Sequence, residues 1–481
     1  MNIIKDKNKN LNKKIILYVI LSIIFIFIIT AVCLKLAKDR KINIGDVIEN
    51  YAISYELVND EGEEFFKVVS INKNELSTDI VIPKSLFGIP VKSIDSLVFD
   101  NCTSLKSIVI PESVINIGNG AFNKCTSLKK ITIPFVGEKA DGSAATHFGY
   151  IFGAADYLEN ETKVPFSLKE VVITNAASIA PKAFYNCYGI TDVVISSNLS
   201  HIGFSAFEMC RAIEKITIPF VGEKADGSGA LHFGYIFGSS DYLSNSGYVP
   251  SSLKEVIITT ATSIGDNAFY NCGLIKSIIL PNTIFEIGKF SFFYCESLQN
   301  IIIPNSVESI GERAFSMCSS FTDIIIPDSV SNIGCGVFDR CDSLKKITLP
   351  FVGEKADGSG ATHFGYIFNV WGESSNKLDI PASLKEVVIT KATIIGNYAF
   401  YDCTEIENII IPSSVQTIGT CAFYNCESLK KIIIPISVIR MGKDVFSYNS
   451  ELTIYCEVGA KPVQWIGWSS GCTVVWGYSN N

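Results

Sequence analysis

The chain is poor in the residues that carry most enzyme and metal chemistry. Its 481 residues include four histidines, four methionines and four tryptophans. No Cys-x-x-Cys or histidine pair is spaced for zinc. Nor is there a nucleophile elbow, a phosphate-binding glycine loop, a dinucleotide fingerprint or a zinc-protease signature. An excess of positive charge is also missing. The net charge is −8 and the pI is near 5.3, which excludes nucleic acid as the main partner, because neutralising phosphates requires a basic face. Neither a cofactor, a metal nor a catalytic residue is expected. What the chain has instead is aliphatic bulk: 48% of residues are hydrophobic and the mean hydropathy is +0.30. Most of the aliphatic excess is Ile and Val, which suit half-buried pleated surfaces. A β-rich protein is expected.

The first 50 residues are a separate object. Residues 1–14 form a basic tail with Lys5, Lys7, Lys9, Lys13 and Lys14, and a charge-free apolar run follows from Ile15 to Leu34. Twenty such residues cross a hydrocarbon core of roughly 30 Å, so 15–34 is read as a transmembrane anchor and 35–50 as a juxtamembrane linker. The lysine-rich tail favours a cytoplasmic N-terminus, with the large domain outside. Alternatives remain open: a cleaved signal peptide, although Ala31-Val32-Cys33-Leu34-Lys35 is a poor cleavage site, or lipidation at Cys33.

Repetition dominates the rest. The segment from Cys102-Thr-Ser-Leu through Ile108-Val-Ile-Pro to Gly118-Asn-Gly-Ala-Phe122 recurs along the chain. Ten cysteines, at 102, 125, 187, 210, 272, 295, 318, 341, 403 and 426, are separated by 23 or 62 residues only. The apolar residues that open each unit, from Leu105 to Leu452, are 22, 23 or 40 apart, so each 62-residue gap holds one long and one short unit. The long units begin at Leu128, Ile213 and Leu344, with inserts near 134–166, 219–251 and 350–382. Each insert opens with Pro-Phe-Val-Gly-Glu-Lys-Ala-Asp-Gly-Ser, at Pro134, Pro219 and Pro350. In a unit, Ile-x-Ile alternates with period two, so both isoleucines face a core while the residue between faces solvent. Pro then ends the strand, Gly is expected to permit a turn, and Ala-Phe supplies a plug. One unit cannot bury its own apolar face, so units stack. A parallel sheet on one side is expected, with turns or short helical segments on the other. Fourteen or fifteen rungs at about 4.8 Å would run on the order of 70 Å.

These motifs resemble the BspA-like leucine-rich repeats of bacterial and some protozoan surface proteins, over roughly residues 80 to 456. The resemblance implies a right-handed leucine-rich-repeat superhelix, and attachment to host or matrix macromolecules. Residues 51–100 read as an N-terminal cap and degenerate first repeat, around Ile80-Val-Ile-Pro83. Residues 101–451 read as the repeats and 452–481 as a C-terminal cap.

The repeat cysteines form one column. Stacked equivalents have parallel Cβ vectors about 4.8 Å apart, whereas a disulfide needs crossed vectors and Cβ atoms near about 3.8 Å. The column is therefore read as buried thiols packing like small hydrophobes. Cys456 and Cys472 are the best-placed pair for a bridge. Cys335 and Cys421 are expected on the convex side without a partner.

His147, His232 and His363 each stand in His-Phe-Gly-Tyr-Ile-Phe. They either line a ligand pocket built three times, with Glu138 and Asp141 or their equivalents, or simply accompany a duplicated plug of Phe148, Tyr150, Ile151 and Phe152. The plug is favoured, because Ala-Asp-Gly-Ser is a turn signal without the carboxylate density of a calcium loop. His201, which stands alone, is expected at a surface or edge.

Outward strand positions are more informative. Val194, Thr217, Ile257, Ile279, Ile302, Ile325 and Thr348 belong to a row that is β-branched throughout, beside a column rich in lysine that includes Lys254, Lys276 and Lys345. An apolar stripe flanked by lysines on the concave face would suit a protein or glycan partner, and four consecutive isoleucines from Ile257 to Ile325 mark its strongest part. The expected function is a membrane-anchored cell-surface protein that binds or adheres to a macromolecule through this face. A small-ligand sensor or enzyme built on the insert, or a structural envelope protein, are the alternatives.

Overall fold

The computed structural model describes residues 43–372, 376, 380–468 and 471–479. The basic tail, the anchor at 15–34 and most of the linker lie outside the described residues. Among those described, no helix is long and apolar enough to cross a membrane.

The chain opens with a cap. Val47–Asn50 pairs antiparallel with Ile53–Asp60, which pairs with Glu63–Ile71, and this last strand then runs parallel to Ile89–Ile94. Val47–Asn50, expected in the linker, is thus the outer strand of the cap. Tyr55, Leu57, Phe66 and Val68 are buried on its inner face, covering the apolar end that the first repeat would otherwise expose.

From there the chain is a solenoid with a parallel ladder along one side. Eight strands, from Asp79–Val81 to Ser277–Ile279, form one sheet; four, from Asp323–Ile325 to Asn408–Ile410, form a second; Lys431–Ile434, Thr453–Cys456 and Thr473–Trp476 form a third. The expected alternation holds: Ile108 and Ile110 are buried while Val109 between them is only half-buried, and rung after rung repeats this. The ladder lapses where two proline-ended rungs follow one another with Ile against Ile, at 279/302, 302/325 and 410/433. Between Ser277–Ile279 and Asp323–Ile325 the intervening rung keeps one bridge, Ser277 to Asn300. A terminal proline removes the donor that Thr174, Thr259 and Thr390 use to bond the preceding rung.

The other side was expected to hold turns, and much of it does. It also carries a second, minimal parallel ladder of two-residue strands, such as Ser263–Ile264, Glu286–Ile287, Ser309–Ile310 and Asn332–Ile333. This corrects the role of the repeat glycine. Gly288, Gly311, Gly334 and Gly419 do not have positive φ; a Cβ there would lie 2.3 to 2.7 Å from the backbone of the rung before. Glycine is required because consecutive rungs touch, not because the chain turns. The left-handed residues are elsewhere, two in most units, and are mostly not glycine: Asn267 and Asn271, Arg313 and Met317, Cys421 and Asn425.

Inside, the repeat phenylalanines stack. Phe269, Phe292 and Phe315 follow one another at ring distances of 5.4 and 5.1 Å with planes within 6° of parallel. The long units keep this spine continuous by supplying two rings: Phe122 meets Phe152, Phe152 meets Phe148, and Phe148 meets Phe184. A tryptophan group of Trp465, Trp468 and Trp476 closes the C-terminal end against Phe446.

The thiol column is as expected, with a refinement. Cys125, Cys295, Cys318, Cys341 and Cys426 are free and buried, and each donates its S–H to the carbonyl of the phenylalanine 26 residues earlier, at 3.1 to 3.3 Å. Asn449 takes the thiol's place one unit later and donates to Phe423 O at 2.7 Å. Cys472 continues the column, with Sγ on Phe446 O at 3.4 Å. Cys456, in contrast, is a free buried thiol on the strand Thr453–Cys456. The Cys456–Cys472 bridge is therefore not formed. Cys335, expected without a partner, is buried with Asn369 Oδ1 at 3.9 Å.

Candidate interaction face

The outward row divides into two regimes. Val194, Thr217, Ile257 and Thr348 are half-buried, shielded by neighbours in the ladder. Ile279, Ile302 and Ile325 are 48%, 85% and 65% exposed. The lapse in the ladder coincides with this exposure: Ile302 sits on the rung that has a bridge on one side only.

Ion pairs on this face fall mostly one position beyond the lysine column read from the sequence, and only partly within it. Long-unit lysines pair with the next rung in register: Lys130 with Glu170 at 2.7 Å, Lys215 with Glu255 at 2.8 Å and Lys346 with Glu386 at 2.9 Å. Lys385 reaches Glu405 at 3.2 Å and Lys430 reaches Glu451 at 2.6 Å. Lys254 is turned back onto the Ser251 and Leu274 carbonyls. Lys276 and Lys345 remain exposed. Such solvent-exposed pairs contribute little stability, because water and salt screen them. Their placement matters more. Among the described residues no ion pair spans the rungs from Ser277 to Asp323, so Ile279, Ile302 and Ile325 look out beside Ser277, Asn300 and Asp323 rather than beside an ion-pair fence.

The insert has a structural chemistry of its own. Phe148, Ile151 and Phe152 lie in a 3₁₀ turn and are buried, as are Phe233, Ile236 and Phe237, and Phe364, Ile367 and Phe368. Tyr150, expected in the plug, is only half-buried. His147, His232 and His363 are buried in separate units and do not converge. His147 Nδ1 donates to Asn160 Oδ1 at 3.4 Å and His232 Nδ1 to Asn245 Oδ1 at 2.9 Å, whereas His363 donates through Nε2 to Val370 O at 3.0 Å. Burial lowers the pKa of His147 and His232, against the opposing effect of these asparagines.

These asparagines were missed from the sequence. Asn160, Asn245 and Asn376 are fully buried; each accepts the N–H of the insert glycine at 2.9 to 3.1 Å and donates to a carbonyl of the next unit, Ala183, Tyr270 or Tyr401. The same contact explains Gly149, since a Cβ there would lie 2.3 Å from Asn160 Oδ1. The available signal was positional, an asparagine 13 residues after each histidine. His201, expected at an edge, is half-exposed on the strand His201–Ile202, 3.7 Å from Glu223.

A family profile described as BspA type leucine rich repeat region matches six copies, over residues 65–144, 164–226, 242–357 and 379–457. The chain belongs to this family. Similar solved structures include a leucine-rich repeat protein from Bacteroides ovatus, 22% identical, with 89% of this chain and 92% of that one covered and a TM-score of 0.32. A leucine rich cell surface protein from Faecalibacterium prausnitzii is 18% identical over 90% and 96% of the two chains, with a TM-score of 0.20. A chain of the Drosophila Toll–Spätzle complex is 8% identical over 86% and 66%, with a TM-score of 0.42. No curated protein matches. The BspA-type assignment agrees with the rung chemistry above and with the general role of leucine-rich repeats as binding scaffolds.

Proposed function

We propose that this BspA-type chain is a surface-displayed binding protein whose sheet face holds a protein partner at Ile279, Ile302 and Ile325. The carrying observation is a row of β-branched apolar side chains, led by Ile302 at 85% exposed, on a face where other rungs are fenced by ion pairs. Contiguous apolar surface of this kind marks interaction sites. A protein suits it better than a glycan, because glycan recognition calls for aromatic ring faces, and the strip, with Ser277, Asn300 and Asp323 beside its isoleucines, offers none. The run 15–34, with its basic flanks, supports display from a membrane with the repeats outside. A ligand site at the insert histidines has less support, since their imidazoles are buried in separate units and each commits one ring nitrogen to an internal hydrogen bond.

A photoreactive residue placed at position 302 of the full chain should cross-link the partner, while one at Asp266, on the opposite ladder, should not. Equal capture from both positions would sink the assignment. For display, the chain should stay in the membrane fraction after alkaline carbonate washing, and deletion of 15–34 should release it.

A further inference from the structure

Each insert interrupts the second ladder, and the way it does so leaves an unfilled rung. The Glu-Lys-Ala segment of the insert bonds antiparallel to the ladder behind it: Asn116 bridges Lys139, His201 bridges Lys224 and Asn332 bridges Lys355. Ile333 N–H donates to Glu354 O and Ala356 N–H to Ser331 O, at 2.8 and 3.0 Å. The insert later rejoins the course of the repeat at Thr362, whose side chain lies against Gly396. The Ile-Gly segment that a plain unit would place beside the next ladder is thus absent from this rung.

That absence exposes an edge. In plain units Phe285 and Gly288 donate their N–H groups to the Thr262 and Ile264 carbonyls of the rung before, at 2.9 and 2.8 Å. The equivalent donors after the third insert are Thr393 and Gly396, and among the described residues neither has an acceptor. Beside them is a cavity of about 400 Å³ lined by Phe351, Val352, Lys355, Thr362 and Ile395. The second insert forms the same notch, but Leu231 stands where Thr362 does and its side chain lies against Gly265; the cavity there is about 130 Å³. The first insert is followed by Ala180-Pro181 in place of the glycine. Of the three notches, the third is the open one, and Leu231 shows what kind of group fills the site: an apolar side chain.

We propose that the third notch is a docking site for one short extended peptide segment of a partner, which adds the missing rung parallel to Ile394–Ile395. The segment would accept hydrogen bonds from Thr393 and Gly396 through two carbonyls two residues apart and place a β-branched side chain in the cavity, as Ile264 and Ile287 do in plain rungs. Those two carbonyls are about 6–7 Å apart along a strand, too far for the two oxygens of one carboxylate, so a peptide backbone fits where a simple anion does not. This is strand addition to an exposed sheet edge, and it stands apart from the Ile302 face.

The probe is a labelled hexapeptide copying residues 305–310, Asn-Ser-Val-Glu-Ser-Ile, which supplies this rung in a plain unit up to the place where Thr362 resumes it. It is titrated against the full chain by fluorescence anisotropy. Binding should weaken at least tenfold in Thr362→Leu, which copies the residue the second insert already accommodates, and should be unchanged in Ile302→Glu. Amide exchange at Thr393 and Gly396 should slow on binding, while Thr262 and Gly265 stay unaffected. No binding, equal binding by Thr362→Leu, loss in Ile302→Glu, or protection mapped elsewhere would each overturn the proposal.

Discussion

Gly311 illustrates how tightly single residues are held. A Cβ at this position would lie 2.6 Å from Lys289 N, and backbone cannot move aside as a flexible side chain can. Gly311→Ala should therefore destabilise by about 1–3 kcal/mol, the usual cost of overpacking, seen as a lower urea midpoint. Were glycine there only to permit a turn, the change would be close to neutral, because its φ is not positive. Asn245 is bound more tightly still: its replacement by Ala strands the buried Gly234 N–H, at about 1–3 kcal/mol, and removes the donor to the half-buried Tyr270 carbonyl. The column cysteines are inert for the same reason of burial, which pushes the Cys125 and Cys295 thiols up to about 12. At pH 8 a thiol reagent should label half-exposed Cys421 well before Cys295, and Cys295 only as the chain unfolds. Labelling of Cys295 at the rate of Cys421 would contradict the buried column.

At the scale of the element, the insert is a spacer that keeps the main ladder and the aromatic spine continuous while it ends one stretch of the second ladder. It brings a second phenylalanine to bridge the wider rung, and an antiparallel segment to finish the ladder behind it. Its buried histidines give it a pH response. Burial lowers the folded-state pKa of His147 and His232 below the unfolded value near 6.5. The unfolded chain consequently takes up protons first as pH falls, so the stability given by the neutral imidazoles is complete above about 6.5 and is lost progressively below it. The melting temperature should fall between pH 7 and pH 5, and His232→Gln should flatten that fall. An identical slope in the variant would show that other groups carry it. The plain rung was readable from sequence because its two isoleucines, its proline and its cysteine repeat at fixed spacing. The insert was readable as a duplication and, through Phe148, Ile151 and Phe152, as a core plug, but not in its buried polar contacts. Asn160 shows why: its hydrogen bonds reach 11 residues back to Gly149 and 23 residues on to Ala183, a pairing no local period announces.

Across the whole molecule, the repeat sets the fold while departures from the repeat set where function can sit. The length of the unit, the inward isoleucines and the thiol column were all legible, because each follows from stacking identical rungs. The state of the outward face was not. The sequence shows a uniform β-branched row, yet Val194 and Thr217 are sheltered while Ile302 stands out, because shelter depends on whether neighbouring rungs keep their ladder and their ion pairs. The lysines beside the row read as a positive column in sequence; Lys385 and Lys430 are neutralised by glutamates of a neighbouring rung, whereas Lys254, Lys276 and Lys345 meet no carboxylate among the described residues. The central claim is that the exposed run of isoleucines is the binding face. The most direct measurement compares partner capture by the full chain and by its Ile279→Glu, Ile302→Glu, Ile325→Glu triple variant, with circular dichroism on both. The account predicts that capture falls at least tenfold while the spectrum is unchanged, since all three side chains point to solvent. Undiminished capture by a folded triple variant would contradict it.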